Sequence, residues 1–396
     1  MATRMINQQR RAFIKQGLTG LLLSASPALY AQAINSQQGP LNRSQYLKRF
    51  EGWFSAQGSK SEQYGFATSF SYTQAMQPLA PIAGRSGFRG HGGAQHTHKP
   101  HTVLLFGRRP STESIEINLL TAEITRRFYS QPNRHFFGHG AFSQDGQYLY
   151  TSEANLENNQ GVIGIRDAKT YQWLGEFSSY GVGPHQLMMM PNGQQLVVAN
   201  GGILTRPESG RKKLNLDNMS SNLSYINLET GALDSQWFVP ESKASIRHLD
   251  VAQDGTVALA MQVQRQAMGH KALISLAGIH KDNRDIVLLE QPQVMGQMND
   301  YIGSVAILES SRIAGFTSPR GDIVGFWQID TGEFKGYHAM RDVCGITVSN
   351  RDNRFIVTNS YGAVHYIDGA SLVENKALRR VFSNMQWDNH MVHIQS

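Results

Sequence analysis

The chain is poor in cysteine and in charged side chains. Its 396 residues include one cysteine, Cys344, so no disulfide can form within the chain. Asp, Glu, Lys and Arg together make up 17% of the residues, where about 25% is usual for soluble domains. Hydrophobic residues, at 40%, suffice for a large core and exclude a disordered chain. The 38 glycines and the frequent turn-forming pairs favour a turn-rich β protein over a helical one.

Positive charge is not concentrated in a stripe. Four of the seven net positive charges lie in residues 1–33, which contain no acidic residue, and this leaves +3 for the rest. The basic runs Arg211–Lys213 and Arg379–Arg380 are short and isolated, and we expect them to be solvated surface. Proteins that bind nucleic acid have clustered basic residues. We therefore expect no nucleic-acid partner.

Several cofactor and catalytic motifs are missing. No Cys-x-x-Cys-His string is present, which excludes covalent c-type haem. The chain also lacks a Gly-x-Ser-x-Gly elbow, a phosphate loop and a His-Glu-x-x-His pair. A quinone cofactor would need a stacking tryptophan, a role open to Trp387, and an acidic calcium-binding pair, which is not evident. These absences weaken the case for an enzyme without excluding one.

The first 33 residues have the features of an export signal. Gln9–Lys15 resembles a twin-arginine signal, in which an arginine pair precedes an aromatic, an aliphatic and a lysine. A short apolar stretch follows, and Ala31–Ala33 provides a small-x-small cleavage pattern. An uncleaved amphipathic anchor is the alternative. No later segment reaches the roughly 20 apolar residues of a membrane span, so we expect a periplasmic protein without one.

Two elements recur along the rest of the chain. One is a strand that alternates apolar and polar residues and ends in a tight turn, as in Tyr225–Gly231 and Val324–Gly332. The other runs from a polar residue through an Asp-Gly or Asn-Gly turn into a second strand, as in His139–Thr151. Copies of this second element start about fifty residues apart, at positions 91, 139, 185, 248, 301, 344 and 390. Four strands per repeat predict an all-β, seven-bladed β-propeller.

The chain ends predict how the propeller closes. The strand that starts at His390 has no chain left to complete a blade, and the strand-like stretch near residues 64–73 has no preceding first strand. We therefore expect the N- and C-terminal strands to share one blade. The predicted divisions are a signal peptide at 1–33, a linker with a short helix at 34–60, and the propeller at 61–396. Residues 201–216 are expected to form an inserted loop over one face.

Several strings resemble those of a family known only as domain of unknown function 1513. The similarity runs from about residue 60 to the end. The matching strings are Arg89–Gly92, Phe137–Gly140, Gly161–Asp167, Gly183–His185, Ala199–Thr205, Lys213–Leu216, Ser245–His248, Tyr301–Val305, Thr317–Gly321, Asp342–Gly345 and Trp387–His390. The resemblance implies an exported propeller of the quinoprotein-like, WD40-like superfamily. It also implies an association with imelysin-like and dihaem-peroxidase-like periplasmic partners in iron uptake. The resemblance specifies no reaction.

The first strand of each propeller blade lines the central channel, so equivalent repeat starts should meet there. The predicted metal ligands are His91, His139, His185, His248, Cys344 and His390, with Tyr301 in the remaining position. The alternative is that these histidines tie neighbouring blades together by hydrogen bonds to backbone carbonyls. Arg247 and Arg320 are candidate cations for an anionic ligand, and Glu153 a candidate supporting group at the same mouth.

Three functions remain open from the sequence. The first is a binding or accessory protein for acquisition of a transition metal, with iron or copper as candidate ions. The second is a redox metalloenzyme that uses the channel histidines. The third is an interaction scaffold without a ligand. We expect the first, because of the histidines and the family's iron-uptake partners.

Overall fold

The computed structural model describes residues 50–58, 63–71, 81–210, 212–241, 243–268 and 275–396. The first fourteen strands are β1 (Glu51–Gln57), β2 (Gly65–Ser71), β3 (Ile82–Arg85), β4 (Gly90–His96), β5 (Lys99–Gly107), β6 (Glu113–Asn118), β7 (Glu123–Tyr129), β8 (Arg134–Phe142), β9 (Tyr148–Asn155), β10 (Gly161–Asp167), β11 (Trp173–Ser178), β12 (Pro184–Met189), β13 (Gln195–Asn200) and β14 (Asn222–Asn227). The others are β15 (Leu233–Phe238), β16 (Ala244–Val251), β17 (Val257–Val263), β18 (Ala277–His280), β19 (Val287–Leu288), β20 (Ser304–Leu308), β21 (Ile313–Ser318), β22 (Ile323–Gln328), β23 (Phe334–Ala339), β24 (Val343–Ser349), β25 (Arg354–Asn359), β26 (Ala363–Asp368), β27 (Arg380–Val381) and β28 (Trp387–Gln395).

These strands form seven four-stranded antiparallel sheets, which are the blades of a propeller. Blades 1 to 6 each use four consecutive strands, from β4–β7 to β24–β27, and blade 7 has the order β28-β1-β2-β3. The innermost strands, β4, β8, β12, β16, β20, β24 and β28, contact one another in sequence around the axis, and β28 contacts β4 to close the ring. The predicted seven-bladed propeller is confirmed.

The position of a strand within its blade follows from its pattern of apolar residues. Second strands contain continuous apolar runs, such as Val103–Phe106 in β5 and Leu196–Ala199 in β13, and these residues are fully buried. Both faces of these strands pack against neighbouring blades, so alternation is lost. Outermost strands such as β23 alternate half-buried and exposed residues, because one face meets solvent.

Blade 7 joins the two ends of the described chain. Strand β28 pairs antiparallel with β1, from Glu51 opposite Gln395 to Gln57 opposite Trp387. The predicted closure by N- and C-terminal strands is thus confirmed. Residues 51–57, which were expected to belong to a linker, form the second strand of this blade instead. The predicted signal peptide and the remainder of the linker up to residue 49 lie outside the described residues.

Side chains reinforce this closure. Arg89, just before β4, donates two hydrogen bonds to the buried carboxylate of Asp388 in β28, with N–O distances of 2.9 and 3.1 Å. Trp53 of β1 and Trp387 of β28 are both about 1% exposed or less, and their rings pack edge to face with centroids 5.0 Å apart. The ion pair therefore joins blades 1 and 7, and the two tryptophans pack β28 against β1 within blade 7.

The insertion predicted in blade 3 is present between β13 and β14. It contains a 3₁₀ turn, Pro207–Ser209, and crosses towards blade 2. There the guanidinium of Arg206 donates hydrogen bonds to the Asn159 side chain at 2.7 and 3.0 Å and to the Leu156 carbonyl at 3.1 Å. The loop is consequently fastened over one face of the propeller.

Helices contribute little to the described structure. Two short ones, α1 (Arg265–Met268) and α2 (Pro292–Gln297), lie in the connections of blade 4 and between blades 4 and 5. No helix in the described ranges has both the length and the apolar character needed to cross a bilayer.

Replacing Trp387 with alanine should destabilise the closing blade. A fully buried aromatic ring would be lost beside Trp53, and such truncations cost about 3–5 kcal/mol. We expect urea unfolding followed by circular dichroism to show a loss of that size. Trp173→Ala is the matched control, because Trp173 is 36% exposed and its loss should cost less than about 1 kcal/mol. Equal effects of the two variants would contradict the proposed closure.

Candidate functional site: a buried histidine cluster in the channel

Five predicted histidines meet at the propeller axis. They lie on the innermost strands β4, β8, β12, β16 and β28, and each is at most 6% exposed. Neighbouring ring centroids are 4.1 to 5.9 Å apart. We call this set the histidine cluster: His91, His139, His185, His248 and His390. The expected ring around a channel mouth is in fact a packed group that fills the middle of the channel.

A β-bulge accompanies each histidine of the cluster. The pairing register of the inner strand shifts between Gly90 and Gly93 in β4, between Phe136 and Gly140 in β8, and between Pro184 and Leu187 in β12. Similar shifts accompany His248 in β16 and His390 in β28. A bulge adds an unpaired residue to one strand and redirects its side chain. The five bulges therefore explain how every ring can point at the axis although the repeats differ in register.

Glycine next to the histidines makes the close packing possible. A Cβ atom at Gly92 would lie 2.5 Å from Nδ1 of His139, and one at Gly138 would lie 2.7 Å from Cδ2 of His91. Gly138 also has a φ of +104°, which side chains of L-residues rarely allow. The Gly-His-Gly strings of β4 and β8 are thus required by the contact between the two rings.

The ring nitrogens of the cluster are only partly satisfied. His91 Nε2 lies 3.2 Å from His185 Nε2, His248 Nδ1 lies 3.1 Å from the Gln186 side-chain oxygen, and His390 Nδ1 lies 3.2 Å from the Ser304 hydroxyl. Four buried ring nitrogens have no hydrogen-bond partner in the described part of the chain: His91 Nδ1, His139 Nε2, His185 Nδ1 and His390 Nε2. Buried polar atoms are normally paired, so these four require an explanation.

Hydroxyl groups, rather than the imidazoles, make the contacts that tie blades together near the axis. Ser152 donates to the carbonyl oxygens of His139 and His185 at 3.2 and 2.9 Å, which links blades 2 and 3. Thr317 of blade 5 donates to the Cys344 carbonyl of blade 6 at 2.8 Å. The alternative role of the histidines, as donors to backbone carbonyls, is not seen among the described residues, where the ring nitrogens of His91, His248 and His390 contact side chains.

The cluster is uncharged at neutral pH. Burial is the main cause, since desolvation lowers the pKa of His91, His139, His185 and His248 well below 6.5, and neighbouring positive charge lowers it further. The pKa of His390 falls to about 3 for the same reasons, with Arg108 as the charged neighbour. Neutral imidazole is the form that binds metal ions.

Two triads within the cluster have ligand-like spacing. The nitrogens of His91, His248 and His390 lie within 4.8 Å of one another, and so do those of His91, His139 and His185. In a tetrahedral site with metal–nitrogen bonds of about 2.05 Å, ligand atoms are roughly 3.3 Å apart. The 3.2 Å between His91 Nε2 and His185 Nε2 already matches that spacing. This pair belongs to the triad of His91, His139 and His185.

A cavity of about 430 Å³ opens onto one side of the cluster, where His91, His185 and His248 line it. Six cationic side chains also line this cavity: Arg108, Arg109, Lys213, Arg247, Arg265 and Arg320. Asp300 is the single carboxylate among its described lining residues, and Arg265 binds it with N–O distances of 2.9 and 2.5 Å. We call this space the cationic cavity.

The channel has a second opening on the opposite side of the cluster. His139 lines it together with mostly apolar residues such as Leu187, Val305 and Ile307. Asp250 is also there, and burial raises the pKa of its carboxyl group to about 6, although it accepts a hydrogen bond from the Ile307 amide at 2.7 Å. The cluster therefore separates a cationic side of the channel from one whose described lining contains no lysine or arginine.

Three of the predicted site residues lie elsewhere. The Cys344 thiol faces the apolar layer between blades 6 and 7, 3.5 Å from the carbonyl oxygens of Thr358 and Trp387, and burial raises its pKa. Glu153 is paired with Arg166 inside blade 2 at 2.9 Å, with both side chains 1% exposed. Trp387 is fully buried in the closing blade and offers no exposed face for stacking.

A second group of potential ligands occurs on the outer strands of blades 5 and 6. His338, His365 and Glu374 have their ligand atoms within 4.8 Å of one another. However, Arg379 already binds both carboxylate oxygens of Glu374, at 2.5 and 2.6 Å, and His338 Nε2 lies 3.0 Å from His365 Nδ1. Because these partners satisfy one another, we interpret this group as a fastening between blades.

The fold and the buried histidines define a seven-bladed β-propeller with a candidate metal centre in its channel. The family model DUF1513, described as a protein of unknown function, matches residues 86–394, so the chain belongs to that family. No curated protein matches the chain. Among solved structures, hydrazine synthase of Kuenenia stuttgartiensis is similar, with 11% identity, a TM-score of 0.57 and coverage of 77% of this chain and 90% of that one. At this identity the likeness extends to the fold alone.

Sequence reasoning missed part of the cationic cavity. Arg108 and Arg109 follow β5, and nothing in their local sequence indicates that they face the axis. Lys213 was expected to be solvated surface, but the blade 3 insertion brings it to the cavity, where its ammonium group donates to the Gln264 side chain. The insertion itself was the signal that could have found Lys213, because long loops over a propeller face commonly contribute to sites.

Gly138→Ala should disrupt the cluster. The added methyl group would overlap the His91 ring and occupy a strained φ, and each effect costs about 1–3 kcal/mol. We expect a loss of roughly 2–4 kcal/mol in urea unfolding, together with shifted histidine ring signals in NMR spectra. Gly175→Ala is the control, because a Cβ there meets no atom within 4 Å. Unchanged ring signals in Gly138→Ala would contradict the packing described.

The metal-free protein should lose stability in mild acid. The unfolded histidines titrate near 6.5, whereas the folded ones titrate lower, so below pH 6.5 the unfolded chain binds more protons. The free energy of unfolding then falls by up to about 1.4 kcal/mol per pH unit for each histidine. Urea unfolding at pH 7.5 and 5.5 should show a drop of several kcal/mol. Equal stability at the two pH values would mean that the cluster accepts protons while folded.

Proposed function

We propose that this protein binds a transition-metal ion, iron or copper, with the histidine cluster and acts as a binding or accessory protein in acquisition of that metal. The supporting observation is the set of four buried ring nitrogens without hydrogen-bond partners. An unpaired buried acceptor or donor costs stability. A metal ion held by one nitrogen from each of three or more imidazoles would satisfy those of the four atoms that it binds.

The donor set narrows the choice of ion. The cluster offers only imidazole nitrogens, with the thiol of Cys344 turned away and no carboxylate in either triad. Imidazole suits iron, copper, nickel and zinc, and at equilibrium such sites bind copper(II) most tightly. Occupancy by iron would therefore depend on which metal is supplied to the protein. The identity of the bound ion must therefore be measured on protein purified from its own host.

The location that we propose is the periplasm. The twin-arginine pattern at Arg10 and Arg11 supports it, together with the apolar stretch and the Ala31–Ala33 cleavage pattern. The twin-arginine route carries folded proteins, so a buried ion could be bound before export. Imelysin-like and dihaem-peroxidase-like proteins are the proposed partners. The support for these partners is association within the family, with no docking surface identified.

The direct test is elemental analysis of the protein purified from its own host without an affinity tag or a chelator. We expect near-stoichiometric iron or copper, which the variant His139→Ala/His185→Ala/His248→Ala should lose. The control variant, His98→Ala/His101→Ala, removes two histidines that line neither opening of the channel and should retain the metal. The single variant His185→Gln covers the case in which the triple variant misfolds, and its metal affinity should fall by more than roughly 100-fold.

Two outcomes would replace this proposal. Metal-free protein that also fails to bind added iron(II) or copper(II) would leave an interaction scaffold as the remaining function. Bound metal together with steady turnover of an electron donor would make the protein a redox enzyme. In that case the cationic cavity, which opens onto His91, His185 and His248, would be the place for the substrate.

A further inference from the structure

The cationic cavity contains more positive charge than its own residues balance. Its cations come from four blades: Arg108 and Arg109 follow β5 of blade 1, Lys213 lies in the blade 3 insertion, Arg247 is in β16 of blade 4, and Arg320 follows β21 of blade 5. The described carboxylate in the lining, Asp300, is bound to Arg265. Charges of one sign therefore surround this space from several directions.

Arg247 is the most informative of these residues. It is 4% exposed, and its buried Nε atom has no hydrogen-bond partner in the described structure. A buried guanidinium is costly unless an anion compensates it. Such a side chain beside an open cavity indicates a place for an anion.

The other cations are held in position around the cavity. Arg109 donates to the Thr205 hydroxyl of the insertion at 2.9 Å, and the Arg320 guanidinium stacks on the Tyr301 ring at 4.7 Å. Positive charge from Arg247, Arg109 and Arg320 lowers the pKa of Lys213, although burial is the larger cause. These groups are consequently close enough to act together on one ligand.

The same charges oppose entry of a free metal cation from this side. They lie near the histidines, since His91, His185 and His248 line the same cavity. A metal ion that arrives with an anionic ligand avoids this repulsion, because its complex has a negative or neutral charge. The cavity and the cluster together thus select the chemical form in which a metal would be bound.

We infer that the cationic cavity binds a small di- or tricarboxylate, which acts as the co-ligand of a metal ion held by the histidine cluster. The inference deepens the proposed function and rests on it for the metal. Cations distributed over four blades fit a ligand with several separated carboxylates better than a compact anion such as phosphate. Arginine binds carboxylates through two parallel hydrogen bonds, and about 430 Å³ is ample for such a molecule with water.

Calorimetric titration with citrate tests the inference, using metal-free protein and protein loaded with zinc(II). We expect citrate to bind both forms and to bind the zinc-loaded form at least tenfold more tightly. Lys213→Gln and Arg320→Gln should each weaken citrate binding tenfold or more. Arg341→Gln is the matched control, because Arg341 also stacks on a tyrosine, Tyr361 at 4.5 Å, but lies outside the cavity. It should bind citrate like the unmodified protein.

The outcomes separate this inference from the proposed function. Zinc binding without citrate binding would overturn the inference and leave the metal site in place. Citrate binding without binding of zinc, iron(II) or copper(II) would refute the metal site and the co-ligand role together, although an anion site would remain. Phosphate binding as tight as citrate binding, or equal weakening by Arg341→Gln and Arg320→Gln, would also overturn the assignment to a polycarboxylate.

Discussion

The close packing of five uncharged imidazoles at the propeller axis is the arrangement on which the rest of the site depends. Rings with centroids 4.1 to 5.9 Å apart and almost no exposure cannot all be protonated, since like charges at this separation would repel strongly in a buried setting. The surrounding structure is consistent with this requirement. Bulges redirect the inner strands that carry the histidines, and Gly92 and Gly138 leave room for the rings. The hydroxyl groups of Ser152 and Thr317, rather than the imidazoles, donate the hydrogen bonds that join neighbouring blades.

The division of charge along the channel has a chemical consequence. A neutral nitrogen-rich cluster lies between a cavity lined by six cationic side chains and an opening whose described lining contains no lysine or arginine. Metal ions and anions would thus bind in adjacent but distinct environments, one of imidazoles and one of guanidinium and ammonium groups. A protein that binds a metal together with its anionic partner needs this combination, whereas a scaffold without a ligand gains nothing from a buried Arg247 whose Nε atom has no partner.

Much of the fold was predictable because each repeat has a short sequence pattern that identifies its strands and turns. Alternating strands and Asp-Gly turns identify hairpins, and the fifty-residue spacing identifies blades, so the histidines at equivalent positions could be expected to meet. Strand β1 was missed because Glu51, Ser55 and Gln57 interrupt its apolar residues, although all three are buried in blade 7. Its strand pairing is with β28, more than three hundred residues away, which no local pattern shows.

Side-chain direction and long-range pairing limited the prediction of the site. Cys344 occupies the equivalent position in β24, where the register also shifts, yet its thiol turns into the apolar layer. Glu153 was expected at the channel mouth, but Arg166 of the adjacent strand β10 binds it inside blade 2. Arg108 and Arg109 were overlooked because the cavity forms only when four blades come together, whereas Arg247 and Arg320 were found through their neighbours His248 and Pro319.

X-ray absorption spectroscopy of the copper(II)-loaded protein tests the central claim most directly, because it reports the atoms bound to the metal. The account predicts a first shell dominated by nitrogen at about 2.0 Å, with the outer-shell scattering of at least three imidazole rings. This signal should be lost from the His139→Ala/His185→Ala/His248→Ala variant. A shell of oxygen atoms, or fewer than three imidazoles, would contradict the assignment of the histidine cluster as the metal site.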